Sequence, residues 1–103
     1  MRLLTQEIIN QFRKNKEQKD NDPIVIAKFF NPSGSGTWYA TEYNEKTRIF
    51  YGYVSLFGDH NDEWGSFSLD ELEEFVGNFN MRIERDKFFK PQRISLVCPK
   101  AIK

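Results

Sequence analysis

The run Thr37-Trp38-Tyr39-Ala40-Thr41-Glu42-Tyr43 limits what this chain can become more than any other stretch. Its β-branched and aromatic residues favour an extended, half-buried strand, and Ser33-Gly34-Ser35-Gly36 opens it with a flexible connection. Period-two alternation points Trp38, Ala40 and Glu42 to one side and Thr37, Tyr39, Thr41 and Tyr43 to the other. Three more apolar runs flank it: Ile24 to Phe30, Arg48 to Phe57 and Trp64 to Phe67. A sheet with this stretch in its middle is the expectation. In the run Arg48 to Phe57, Phe50, Gly52, Val54 and Leu56 alternate with Ile49, Tyr51, Tyr53, Ser55 and Phe57. Gly52 inside it signals a bulge or a close ring crossing from a neighbour.

Two helices are expected beside the strands. Thr5 suits an N-cap, with Leu4 and Ile9 as a staple across it and Ile8, Ile9 and Phe12 on one stripe. The polar stretch Lys16 to Asp22 lets that helix fade, and Pro23 bars its continuation. Ser68-Leu69-Asp70-Glu71 has the form of a capping box, with Leu69, Leu72, Phe75 and Val76 as the buried stripe and Gly77 as the C-cap. Beyond Asn80 the pattern weakens. Met81 to Glu84 is a candidate edge strand, Phe88-Phe89 and Ile94 to Val97 are apolar, and residues 98–103 are expected to form a loose tail.

A chain of 103 residues makes one domain with a single core, here residues 1–103, and its 16% aromatic content means that large rings are buried. The fold expected is α+β: a four-stranded antiparallel meander, with a candidate fifth strand, an N-terminal helix and a short helix after strand four. Both helices are expected on one face.

Fifteen basic and fifteen acidic residues balance, which argues against a general polyanion binder. The charges are nevertheless segregated. Asp59 to Glu74 holds seven acids and no base, while Arg82 to Lys103 holds seven bases and two acids. A single cysteine, Cys98, cannot form an intramolecular disulfide. Together with the lack of a signal-like or membrane-length apolar run, that leads to a cytoplasmic expectation.

Few residues suggest chemistry. Asp59, His60, Asp62 and Glu63 gather acceptors in one loop, but without the twelve-residue calcium pattern or its internal glycine. Ser66 and Ser68 lack a nucleophile elbow, and the only histidine lies in a loop. No catalytic residue, metal ligand or cofactor is assigned. Arg82, Arg85, Lys87, Lys90 and Arg93, interleaved with Phe88 and Phe89, have the make-up of a nucleic-acid surface, though Glu84 and Asp86 sit among them. Tyr39, Tyr43, Tyr51 and Tyr53 are expected on one sheet face, where tyrosine suits a protein interface. Burial of those rings beneath the C-terminal segment is the competing expectation.

The blocks Trp38-Tyr39-Ala40-Thr41-Glu42-Tyr43, Phe67 to Glu74, and Ile83-Glu84-Arg85-Asp86 with Phe89 and Pro91 come in a recognisable order. They resemble a family of short bacterial proteins catalogued as a domain of unknown function, number twenty-nine fifty-eight. Leu3-Leu4-Thr5 and the segment from Pro23 to Phe30 also look like that family. The resemblance implies carriage on plasmids and other mobile DNA, and it supplies no catalytic residue. The expected function is a non-enzymatic interaction module of a bacterial plasmid or mobile element, with a protein partner and no membrane partner. Its contacts would run through the tyrosine face or the acidic pole. An accessory nucleic-acid binder is the alternative, and a metal-dependent hydrolase the third. The oligomeric state is open.

Overall fold

The computed structural model describes residues 2–16, 18–57 and 62–102. The first helix, α1, runs Gln6–Lys14, and the Thr5 hydroxyl accepts the Ile8 amide at 3.2 Å as its cap. Glu7 lies in the first turn and Arg13 and Lys14 in the last, as the helix dipole favours. Strands β1 (Ile24–Val25), β2 (Ala27–Phe30), β3 (Thr37–Asn44), β4 (Ile49–Ser55) and β5 (Glu63–Ser68) follow, then helix α2 (Leu69–Glu74). The chain continues through a 3₁₀ turn at Asn78–Asn80, β6 (Glu84–Arg85), β7 (Gln92–Arg93), a short α3 (Ile94–Val97) and a 3₁₀ turn at Pro99–Ala101.

The main sheet has five strands rather than four, in the order β5-β4-β3-β2-β6, every pair antiparallel. Its edge strand pairs Arg85 with Phe29 and Glu84 with Phe30, so it overlaps the expected Met81 to Glu84 strand at Glu84 alone. The run Ile24 to Phe30 is not one strand. It breaks at Ile26, whose amide donates to the Ala40 carbonyl at 2.8 Å, and β1 turns away to pair with β7.

Two buried clusters result. One contains Leu3, Leu4 and Phe12 from the N-terminal part, Phe29, Ala40 and Phe50 from the sheet, and Leu69 and Leu72 from α2. Phe29 and Phe50 are fully buried with ring centroids 5.2 Å apart. Burial of such a side chain stabilises by about 1.5–3 kcal/mol. The second cluster joins Val25 and Tyr53 to Ile94, Cys98 and Ala101 of the C-terminal segment. Residues 98–102 are therefore not the loose tail expected. Ala101 is buried, and its carbonyl accepts the Trp64 Nε1–H at 3.0 Å.

A bulge divides β3. Ala40 opposes Gly52 and Glu42 opposes Tyr51, leaving Thr41 as the extra residue. Ala40 and Thr41 are consecutive yet both buried, and the Thr41 hydroxyl donates to the Tyr51 carbonyl at 3.2 Å. An inserted residue shifts alternation by one, so everything after it changes face.

At α2 the Ser68 hydroxyl accepts the Glu71 amide at 3.2 Å, which is half of the expected capping box. Among the described residues the Glu71 carboxylate makes no return bond. The helix ends at Glu74 and not at Gly77: Phe75 turns extended at φ −62° and ψ 133°, leaving Phe75 and Val76 exposed instead of on the buried stripe.

Candidate functional site

The four tyrosines do not form one face. Tyr43, beyond the bulge, packs on the helix side against Phe50 at 4.7 Å and Phe12 at 5.8 Å. Tyr39 and Tyr53 lie on the other side with centroids 6.5 Å apart, and the C-terminal segment closes over them. Tyr53 is only 6% exposed, and burial raises the pKa of both phenols. Tyr51 alone stays substantially open, stacked on Trp64 at 6.0 Å. The contiguous tyrosine surface expected from alternation is absent, because the bulge removes one ring and the last residues cover two.

The loop read as a weak metal site is only partly in view, since Asp59 and His60 lie outside the described residues. The Asp62 side chain is 2% exposed. One of its oxygens accepts the Ser55 hydroxyl at 2.8 Å and also the Lys100 ammonium. Lys100, the main cause, holds the Asp62 carboxyl below the usual carboxylate range. Asp62 thus fastens the C-terminal turn to β4. Among the described residues no group of three or more metal-ligating side chains comes together.

The basic run is largely engaged. Arg82 donates to the Glu73 carbonyl at 3.1 Å, and Arg85 to the Arg2 carbonyl at 2.6 Å. Arg93 pairs with Asp20 at 2.7 Å. Lys87 and Lys90 remain exposed around Phe88, which is 94% exposed at the tip of a turn closed by Phe89 N–H to Asp86 at 3.2 Å.

A mostly apolar concavity lies elsewhere. The six residues of α2 reach about 9 Å, while the seven of β4 span about 23 Å, so the helix cannot roof the strands to their ends. Where α2 stops, a trough of about 410 Å³ opens, lined by Trp38, Val54, Leu56, Phe57, Leu72 and Phe75. Its lip is exposed: Leu56 at 42%, Phe57 at 72% and Phe75 at 41%. Among the described residues the only charged side chain lining it is Glu71. Helix α2 as a whole is acidic. Asp70 and Glu73 are met by Arg48 at 2.7 and 3.3 Å, whereas Glu71 and Glu74 have no ion-pair partner among the described residues.

Sequence patterning puts Leu56 on the Phe50 side of its strand and Phe75 on the buried stripe of its helix, and does not single out Phe57. The mismatch between a long strand run and a short helix was the signal that could have exposed them. No helix is long and apolar enough to cross a membrane among the described residues. The family model described as Protein of unknown function (DUF2958) matches residues 2–101. No curated protein and no solved structure matches the chain.

Proposed function

This chain belongs to the Protein of unknown function (DUF2958) family, and from that premise we propose that it is a protein-interaction module whose contact surface is the trough beside α2. The observation that carries the reading is a mostly apolar floor with exposed Leu56, Phe57 and Phe75 at its lip. Large side chains are left uncovered together at places where a partner covers them. The resemblance to a family carried on plasmids and other mobile DNA supports work in a bacterial mobile element, in the cytoplasm. A photo-crosslinking residue placed at Phe57 tests the surface in living cells, with the same residue at Leu96 of α3 as the control. A discrete protein adduct at Phe57, absent at Leu96 and lost on Leu56→Asp, supports the reading. Equal labelling at both positions would sink it.

One observation favours a second reading, an accessory nucleic-acid binder. Phe88 is an open ring between Lys87 and Lys90, which suits stacking on a base with two phosphate contacts. Engagement of Arg82 and Arg93 within the fold makes that surface small.

A further inference from the structure

Strand β5 closes one end of the sheet and, among the described residues, pairs with β4 alone. Its outward amides and carbonyls therefore have no strand partner, and its sequence, Glu63-Trp64-Gly65-Ser66-Phe67-Ser68, contains no proline or lysine to guard them. The register places Glu63 opposite Val54, Gly65 opposite Gly52 and Phe67 opposite Phe50, so these three share the sheet side that carries the trough. Ser66, Phe67 and Ser68 themselves border it. At Gly65 a side chain would meet nothing within 4 Å, which leaves free space between the open edge and the apolar floor.

We propose that β5 accepts an extended, basic segment of a partner protein as an added antiparallel strand, whose alternate side chains enter the trough. The reading rests on the trough being the contact surface. Main-chain bonding at the edge supplies affinity, and the period of two delivers every second side chain to the same side. Charge selects the partner. Glu63 is exposed on the edge, and Glu71 and Glu74 on α2 have no ion-pair partner among the described residues, so lysine or arginine on the incoming strand meets carboxylate. A second copy of the chain is the poorer occupant, because its own β5 would bring another α2, with four acids and no base, up to the first.

The test titrates the full chain with two end-blocked peptides matching the six residues of β5 in length. One puts valine, phenylalanine and lysine on the alternate positions that face the trough, the lysine at the end that meets Glu63, with threonine between them; the other carries glutamate in place of lysine. Tryptophan fluorescence and amide hydrogen exchange at residues 63–68 are the readouts. The basic peptide should bind and slow the outward β5 amides, with the acidic one weaker by about tenfold or more. Gly65→Lys, which meets open space in the fold, should weaken the basic peptide by about tenfold or more while the melting temperature holds. Binding that Leu56→Asp abolishes, with β5 exchange and Gly65→Lys without effect, would overturn strand addition and leave the trough standing. Binding of neither peptide would also overturn it, and crosslinking at Phe57 then decides the trough separately. Self-association abolished by Gly65→Lys would replace the proposed occupant with a second copy.

Discussion

Gly52 and Gly65 face each other across β4 and β5, yet a methyl group added to the first would strike the Tyr39 carbonyl oxygen and one added to the second would touch nothing. The asymmetry comes from the bulge, which presses the β3 backbone onto Gly52 at Ala40. Gly52→Ala should therefore destabilise the fold by about 1–3 kcal/mol or more in urea unfolding. Gly65→Ala should be neutral or gain up to about 0.4–1 kcal/mol, by restricting the unfolded chain. Equal effects at the two positions would refute the bulge.

Phe50 packs against Phe12, Phe29, Tyr43 and Phe67, with centroids 4.7 to 5.9 Å away. Phe50→Ala should cost about 3–5 kcal/mol of stability. Phe88→Ser, at an open turn tip, should stay within about 0.5 kcal/mol of the parent in the same assay.

Asp62 supplies a pH dependence. Its folded pKa is lowered, chiefly by the Lys100 bond, so its contribution is complete above the ordinary carboxylate range and is lost as pH falls through the folded value. Urea midpoints of the parent and of Asp62→Asn should differ at neutral pH and converge below about pH 4. A constant difference down to acid pH would mean the carboxylate is not held by Lys100.

Burial also raises the Cys98 thiol pKa, and the residue is 7% exposed beneath the C-terminal turn. Iodoacetamide at pH 8 should label it slowly in the native protein and rapidly in denaturant. Trp64→Phe removes the bond to Ala101 and should speed native labelling, whereas Leu96→Ser should leave it unchanged.

For the second reading, within the run Arg82 to Arg93 and among the described residues, Lys87 and Lys90 are the cations that can reach phosphates without breaking a bond in the fold. Binding of labelled single-stranded DNA should then show a log–log salt slope no steeper than about −1.4. A steeper slope would mean that Arg82, Arg85 or Arg93 leaves its partner in the fold, or that bases outside this run take part.

Local chemistry was legible where it acts within a few residues. Thr5 and Ser68 cap the helices as their side chains suggest, and the bulge lies opposite Gly52, the glycine that signalled it. What alternation missed was the consequence, because a count of two per pleat has no place for Thr41 and carries Tyr43 to the wrong side. The C-terminal cover was missed for a different reason. Ile94, Val97, Cys98 and Ala101 recur at helical spacing, but the run is too short to stand out, and its burial depends on Tyr53 and Val25, distant in the chain. The trough depended on comparing lengths, strand against helix, and not on the identity of any residue.

The buckle between residues 20–25 and 92–95 has a mechanical implication. Ile94 N–H bonds the Pro23 carbonyl at 2.9 Å, Ser95 reaches both Asp22 carboxylate oxygens at 2.6 and 2.9 Å, and Arg93 grips Asp20. The wrapping over Tyr53 is thus hung from a strap that touches the helix-side core at Ile24. Peeling it away would bare a greasy sheet surface on an otherwise intact body, a state suited to clumping rather than to unfolding.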